Sequence, residues 1–296
     1  IDYTYEIMER QITGLKVRYP FLEVGTIGNS VMGKDLYYIR LGTGPNEVSY
    51  NASHHANEWI TTPLLMKFIE NFSKAYANRT NIRGYNVSSI WQSSSIYIIP
   101  MVNPDGVDLV TYWPNYPNAT YQQASRINTT GLALPRVWKA NIRGVDLNSN
   151  YPADWELDRQ LKAAMGITGP APRDWGGPAP LSEPESRALA NFTSQHNFRL
   201  VIAYHTQGQV IFYQYQNLAP AVSRVIAEMF SRASGYSIAE GPAEVSYAGY
   251  KDWFIQDFRR PGYTIEVGLG VNPLPLSQFP TIYNQNEEIM LLAAIV

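Results

Sequence analysis

Short, nearly continuous apolar runs alternate along this chain with longer segments of helical periodicity, and few fold classes fit that pattern. The runs Ser95 to Val102, Phe198 to Tyr204 and Tyr263 to Val267 read as strands covered on both faces. The segments Trp59 to Ala77 and Phe279 to Val296 place their apolar residues on one helical face. The alternation predicts an α/β fold in which helices enclose a sheet. No repeat, low-complexity tract or linker interrupts it, so we expect one domain.

Composition excludes several functional classes. The 296 residues include no cysteine, which rules out disulfides, a thiol nucleophile and thiolate-ligated zinc. The formal net charge of -2 gives no reason to expect a nucleic-acid partner. No apolar run approaches the roughly 20 residues that span a bilayer. The chain begins at Ile1, without an initiator methionine or a signal peptide, as a processed or trimmed domain would.

Local signals predict three further features. Asn103-Pro104-Asp105-Gly106 is a strong turn sequence directly after a predicted strand. Residues Tyr112 to Arg136 are rich in Pro, Asn, Thr and Tyr without periodicity, so we expect a long ordered loop there. Ser182 is expected to cap a helix, with Glu185 completing a capping box.

Polar side chains that could bind a metal lie at the ends of predicted strands. His55 follows the strand Glu47 to Ser53, and Glu58 comes three residues later, where the two side chains can face the same way. His205 directly follows a buried strand, and Glu266 lies near the end of another. Ligands of open α/β sheets gather at the carboxyl ends of strands, so these four residues form one candidate set.

This set matches the requirements of a catalytic zinc site. His55, Glu58 and His205 would supply three protein ligands and leave the fourth position to a water whose pKa falls toward about 7. Glu266 would be the general base that takes the proton of that water. A lone histidine at a strand end is more often a hydrogen-bonded structural residue, and His54 and His196 are given that interpretation.

The chain resembles the zinc carboxypeptidase family, the relatives of carboxypeptidase A, along nearly its whole length. The matching motifs, in order, are His55-Ala56-Asn57-Glu58-Trp59, Asn103-Pro104-Asp105-Gly106, Gly144-Val145-Asp146-Leu147-Asn148, Ser182-Glu183-Pro184-Glu185, His205, Asp252-Trp253 and Glu266. The resemblance implies a mixed twisted sheet flanked by helices on both faces, and residues 1–296 as a single zinc peptidase catalytic domain. It also implies one Zn²⁺ per chain, bound by His55, Glu58 and His205, with Glu266 catalytic.

Departures from the family pattern concern the substrate. In the family's exopeptidases an arginine follows the asparagine of the Gly-Val-Asp-Leu-Asn run, and the pair grips the terminal carboxylate of the substrate. Here Asn148 is followed by Ser149, so obligatory recognition of a free C-terminus is not expected. An arginine that the family often has between the first two ligands is also replaced, by Asn57.

Four other positions have roles that the resemblance implies. The oxyanion-stabilising cation corresponds to Lys139 or, as a competitor, Arg143, and the family's mobile tyrosine corresponds to Tyr247. The residue before Asp252-Trp253 lies at the bottom of the side-chain pocket beyond the cleaved bond. Here it is Lys251, which suits a side chain bearing a carboxylate, although a solvated surface lysine is an equally good interpretation.

Diaminopimelate of bacterial peptidoglycan offers such a side chain after an unusual amide bond. The chain is most similar to the bacterial γ-D-glutamyl-(L)-meso-diaminopimelate endopeptidase I group, which cleaves the γ-D-glutamyl–diaminopimelate bond of muropeptides. The resemblance implies peptidoglycan stem peptides as substrate and N-terminal LysM wall-binding repeats outside this sequence. It also implies a cell-wall-associated or extracytoplasmic location in a bacterium, with sporulation as one setting.

Two alternative functions remain open from the sequence. The first is a metallocarboxypeptidase that removes C-terminal residues from ordinary peptides. The second is a non-catalytic muropeptide-binding module that has kept the fold; the presence of Glu266 argues against it, because a binding module needs no general base.

Overall fold

A mixed sheet of eight strands forms the centre of the structure, a computed structural model that describes residues 2–240 and 247–296. The strands are β1 Glu23–Asn29, β2 Asp35–Leu41, β3 Asn46–Ala52, β4 Asn81–Ile82, β5 Tyr85–Asn86, β6 Ser94–Ile99, β7 Leu200–His205, β8 Val210–Phe212, β9 Ser237–Ala239 and β10 Gly262–Glu266. The order in the large sheet is β1-β2-β6-β3-β7-β10-β8-β9, and β4 pairs with β5 separately.

Helices connect most of these strands. They are α1 Tyr5–Arg18, α2 Thr61–Asn78, α3 Val87–Ser93, α4 Pro104–Thr111, α5 Ala119–Ser125, α6 Leu134–Val137, α7 Trp155–Ala164, α8 Pro184–Gln195, α9 Val222–Ser234, α10 Tyr250–Phe258 and α11 Phe279–Ala293, with 3-10 turns at Ala56–Glu58, Leu147–Ser149 and Leu276–Gln278. Within the described ranges, none of these helices combines the length and apolar character needed to cross a membrane.

Helices cover both faces of the sheet. In β7, Ile202 and Tyr204 pack into a core shared with α2, α9 and α11, whereas Val201 and Ala203 pack into a second core shared with α8 and α10. Successive side chains of a strand point to opposite faces, so the two cores lie on opposite sides of the sheet. Each fully buried large apolar side chain stabilises the fold by about 1.5–3 kcal/mol. The expected mixed sheet with helices on both faces is confirmed.

Three adjacent parallel strands bring the candidate residues to one edge. β7 pairs in parallel with β3 on one side and with β10 on the other, so their carboxyl ends meet. Glu266 is in register with His205 across the β10–β7 pair. Both side chains lie two positions beyond residues of the α8/α10 face, so they emerge on that side of the sheet.

Two of the local predictions about connecting segments are wrong. The region Tyr112 to Arg136 is not one continuous loop, because α5 and α6 form within it. Asn118 begins α5 by accepting hydrogen bonds from the N–H groups of Thr120 and Tyr121. The Asn103–Gly106 turn is the first turn of α4, with Asn103 as N-cap and Pro104 as the first helical residue.

The predicted capping box at Ser182 is also wrong. Helix α8 begins at Pro184 after Glu183, and no side chain caps it. The Ser182 hydroxyl donates to the Glu183 carboxylate instead. Glu185 is fully buried and accepts a hydrogen bond from the N–H of Val31, at 3.0 Å. Its carboxylate therefore links α8 to the β1–β2 connection rather than to its own helix.

Candidate metal centre and active site

The donor atoms of three side chains converge at the carboxyl edge of β3, β7 and β10. His55 Nδ1 lies 3.0 Å from Glu58 Oε1, His205 Nδ1 lies 3.0 Å from Glu58 Oε2, and the two Nδ1 atoms are 3.2 Å apart. All three side chains are buried. Tetrahedral zinc bonds of about 2.0–2.2 Å separate neighbouring ligand atoms by about 3.3–3.6 Å. The spacing and the donor chemistry therefore fit Zn²⁺, as the sequence predicts.

The backbone explains why Glu58 reaches this cluster. The chain leaves β3, extends through His55, and closes the 3-10 turn Ala56–Glu58, which turns the carboxylate back toward the strand end. The N–H of Thr206, directly after β7, donates to Glu58 Oε2 at 3.1 Å. The side-chain amide of Asn272 lies 3.5 Å from Glu58 Oε1. These contacts hold both carboxylate oxygens toward the histidines.

Asp146 orients the first histidine. Its Oδ1 lies 3.1 Å from His55 Nε2, so the ring donates Nε2–H to the carboxylate and its Nδ1 lone pair is directed at the cluster. The carboxylate is buried and also accepts the N–H groups of Asn148, at 3.1 Å, and Asp174, at 3.0 Å. Sequence reasoning gives Asp146 no role, although it lies within a matching motif. Asn272 has no comparable sequence signal.

The electrostatics of the cluster favour a cation. Burial alone lowers the pKa of His55, but the charge of Glu58 outweighs it and the pKa rises to about 9. The pKa of the Lys139 ammonium is likewise raised, since Glu58 outweighs the opposing effect of burial. Lys139 Nζ lies 2.9 Å from Glu58 Oε1. Positive charge is therefore stabilised between these ligands, where Zn²⁺ would sit.

Glu266 lies beside the metal ligands with one oxygen unsatisfied. Among the described residues, its Oε2 and His205 Nε2 are buried without a hydrogen-bond partner. Burial raises the pKa of Glu266, the charge of Glu58 raises it further, and the value reaches about 8. A bound cation would favour the carboxylate and lower this pKa. A partly buried carboxyl with one buried, unpaired oxygen beside a metal site is suited to proton transfer.

A cavity of about 620 Å³ opens next to Glu266. Its lining includes Asn148, Tyr215, Tyr247, Lys251 and Thr264. Tyr247, the expected mobile tyrosine, therefore lies at this cavity, while residues 241–246 just before it lie outside the described ranges.

Lys251 is a buried cation in this cavity rather than a solvated lysine. Only 6% of the residue is exposed. Its Nζ donates to the Gln214 carbonyl at 2.7 Å and forms an ion pair with Asp252. The ammonium also lies 5.8 Å from the centre of the Tyr215 ring. The cavity thus carries a positively charged group beside the general-base candidate.

Asn148 and Ser149, two predicted substrate-binding residues, differ in their position relative to the cavity. Asn148 lines the cavity, and its Oδ1 accepts the N–H of Tyr250 at 3.1 Å. Ser149 is buried in the 3-10 turn and is not among the cavity-lining residues, and its hydroxyl interacts with the Asp158 carboxyl. Its role in substrate binding stays a prediction, with a side chain that points away from the cavity.

The structure separates the two candidates for the oxyanion-stabilising cation. Lys139 reaches the metal ligands, whereas the Arg143 guanidinium is half-exposed and faces Glu183 at 3.6 Å. The placement of Arg143 at the reacting centre is therefore wrong. The structural interpretation of His54 and His196 stays a prediction: His54 Nε2 lies 3.0 Å from the Tyr151 hydroxyl, and His196 pairs with Glu47.

Comparisons with known proteins agree with this site. The profile of the zinc carboxypeptidase family matches residues 8–289. The chain is 46% identical, over 98% of its length and 72% of the relative's, to gamma-D-glutamyl-L-diamino acid endopeptidase 1 of Lysinibacillus sphaericus. The structure of bovine thrombin-activatable fibrinolysis inhibitor bound to a tick carboxypeptidase inhibitor matches with a TM-score of 0.73 at 19% identity, over 99% of this chain and 96% of that one. Murein-tripeptide amidase MpaA of Escherichia coli O157 matches with a TM-score of 0.57 at 19% identity, over 91% of each chain.

These findings establish the enzyme class. The two solved structures show that the fold is shared. The family profile and the Lysinibacillus relative identify a hydrolase that acts on peptide bonds, which sets aside the non-catalytic alternative. Zinc is the cofactor of the family, and His55, Glu58 and His205 provide the site for it. The chain belongs to the zinc carboxypeptidase family.

Proposed function

We propose that this chain hydrolyses the γ-D-glutamyl–meso-diaminopimelate amide bond of peptidoglycan stem peptides. The observation that carries the proposal is Lys251, a buried cation in the cavity beside Glu266. A diaminopimelate side chain ends in a carboxylate, which a buried ammonium recognises by a charge-assisted hydrogen bond. The names of the Lysinibacillus endopeptidase and the Escherichia coli amidase support the same substrate class.

The distal end of diaminopimelate also carries an ammonium, and the cavity offers groups for it. Asp252 and Glu240 line the cavity together with Lys251. Glu240 is exposed and accepts the Tyr213 hydroxyl at 2.9 Å. A cavity with both signs of charge suits a zwitterionic side chain better than an apolar one.

The metal and the protein side chains would have different roles in hydrolysis. His55, Glu58 and His205 would hold Zn²⁺, which when bound would supply Lewis-acid polarisation of the scissile carbonyl and a more acidic water. Glu266 takes the proton of the attacking water and transfers it to the leaving amine of diaminopimelate. The Lys139 ammonium lies 2.9 Å from a ligand carboxylate and would stabilise negative charge that develops on the carbonyl oxygen.

The replacement at Ser149 supports cleavage that does not depend on recognition of a free C-terminus. Among the described residues that line the cavity, Lys251 is the one cation, and no guanidinium is present to grip a terminal carboxylate. An ordinary carboxypeptidase needs that grip, so the cavity favours side-chain recognition over chain-end recognition. A bond in peptidoglycan also implies a cell-wall-associated, extracytoplasmic location, which we include in the proposal.

The test is hydrolysis of the tripeptide L-Ala-γ-D-Glu-meso-diaminopimelate. The proposal expects release of free diaminopimelate, which a metal chelator stops and added zinc restores. Blocked dipeptides that end in common L-amino acids serve as the comparison substrates and should react far more slowly. Rapid cleavage of the dipeptides with an intact tripeptide would establish an ordinary carboxypeptidase instead.

A further inference from the structure

The segment Pro172–Asp174 lies between two residues that adjoin the metal ligands. The N–H groups of Lys139 and Ala140 both donate to the Pro172 carbonyl, at 2.8 and 2.9 Å. On the other side, the N–H of Asp174 donates to Asp146 Oδ2 at 3.0 Å. Arg173 is therefore fixed at both ends, at the rim of the metal site.

A hydrogen bond orients the Arg173 side chain but engages only part of its guanidinium group. Its Nε donates to Asp174 Oδ2 at 2.7 Å, and 53% of the side chain is exposed. Within residues 2–240 and 247–296, its two terminal Nη groups make no hydrogen bond. Asp174 has a left-handed backbone with a φ of 68°, a conformation that costs free energy outside glycine and often occurs at ligand sites.

Acidic side chains of the metal site and its surroundings stabilise the charge of Arg173. Burial opposes its charged form, but Asp174 outweighs this and raises its pKa, with further contributions from Asp146 and Glu58. The guanidinium is therefore within electrostatic reach of a metal ligand. Arg173 is not among the residues that line the 620 Å³ cavity, so a substrate group that it binds would lie outside that cavity.

The chemistry of the proposed substrate suggests which of its groups Arg173 would bind. Under the function proposed above, the cavity lined by Glu266 and Lys251 would receive the residue that follows the cleaved bond, and the residue before it would lie outside that cavity, toward Lys139. A glutamyl residue linked through its γ-carboxyl keeps a free α-carboxylate, separated from the cleaved amide carbonyl by the Cγ, Cβ and Cα atoms. An α-linked residue with an uncharged side chain has no carboxylate at that distance, so a cation there would favour the γ-linked glutamyl residue over it.

We propose that Arg173 binds the free α-carboxylate of the γ-linked glutamyl residue on the acyl side of the cleaved bond, an inference that rests on the function proposed above. Asp174 holds Nε, and the two Nη groups point a planar pair of donors at the carboxylate. Arg173 would thus bind a carboxylate on the acyl side of the cleaved bond, and Lys251 would bind one on the diaminopimelate side.

The experiment compares two tripeptides and four enzymes. One substrate is L-Ala-γ-D-Glu-meso-diaminopimelate, and the other carries a carboxamide in place of the glutamyl α-carboxylate. The enzymes are the wild type, Arg173→Gln, Arg173→Lys and Arg159→Gln. Arg159 is the matched control, because its side chain is also 53% exposed and it pairs with a nearby acid, Glu156. Bound zinc and circular dichroism verify that each variant is folded.

The wild type should prefer the free carboxylate in kcat/KM by roughly tenfold to a hundredfold, the range for a charge-assisted contact. Arg173→Gln should lose this preference by slowing only the carboxylate substrate, Arg173→Lys should retain part of it, and Arg159→Gln should retain all of it. Equal effects of Arg173→Gln on both substrates, or no effect on either, would overturn the role of Arg173 alone. A folded, zinc-loaded wild type that cleaves neither tripeptide would overturn the proposed function and this inference with it.

Discussion

Replacing Asp146 with asparagine should weaken zinc binding without removing a metal ligand. The buried Asp146 carboxylate accepts three hydrogen bonds, from His55 Nε2–H and from the N–H groups of Asn148 and Asp174. Asparagine has nearly the same shape but keeps only one acceptor oxygen. Its NH₂ group must then face either the His55 ring N–H or a backbone N–H, and two donors would oppose each other.

The magnitude follows from what the substitution changes at His55. The ring can escape the clash by moving its proton to Nδ1, but Nδ1 is the atom that would bind zinc. The loss of the negative charge also makes the imidazole a weaker ligand. Removing such a supporting group lowers metal affinity by about 10- to 100-fold, which corresponds to about 1.4–2.7 kcal/mol.

The assay is competition between the protein and a chromophoric zinc chelator, measured for the wild type, Asp146→Asn and Asp35→Asn. Asp35 is the control because its carboxylate accepts a side-chain hydrogen bond from Asn29 at 2.8 Å, away from the metal ligands. We expect the tenfold to hundredfold loss for Asp146→Asn and none for Asp35→Asn. Wild-type zinc affinity in a folded Asp146→Asn protein would refute the argument that this carboxylate sets the tautomer of His55.

Three further substitutions test the base, the cavity and a buried acid. Glu266→Gln should lower kcat by roughly 10²–10⁴-fold while keeping zinc bound; turnover near wild type would exclude Glu266 as the general base. Lys251→Gln should lower kcat/KM for the diaminopimelate tripeptide by about 10- to 100-fold but not for the analogue ending in L-lysine, and equal losses would contradict its role. Burial raises the pKa of Glu185 to about 7, so the native state retains a proton that the unfolded state loses as pH rises above about 4.5. Wild-type stability should therefore fall by up to about 3 kcal/mol between pH 4 and pH 8 relative to Glu185→Gln, and parallel urea-unfolding curves across that range would contradict this.

The strands that carry the site could be predicted because their apolar runs are buried on both faces. The run Phe198 to Tyr204 corresponds to the observed strand Leu200–His205, and Tyr263 to Val267 to Gly262–Glu266. Parallel pairing brings the carboxyl ends of these strands to one edge, and the structure adds the register that places His205 beside Glu266. The expectation of one domain over residues 1–296 stays a prediction.

Contacts between segments far apart in the sequence could not be predicted in the same way. Lys139 and Arg143 are four residues apart in an irregular segment, and only the folded path brings the first to Glu58 and the second to Glu183. The fit of Glu185 to a capping motif was misleading, because a backbone N–H from the β1–β2 connection competes for its carboxylate. Local patterns identify candidate groups, whereas the tertiary fold decides which partner each one has.

The most direct measurement of the central claim is the rate of diaminopimelate release from L-Ala-γ-D-Glu-meso-diaminopimelate by the zinc-loaded enzyme and by Glu266→Gln. The three ligands converge to within 3.2 Å, and Glu266 lies next to them with a free oxygen. We predict rapid release by the wild type, none after chelation, and almost none by the zinc-loaded variant. An intact tripeptide after incubation with folded, zinc-loaded wild type, or release that a chelator leaves unchanged, would contradict the account.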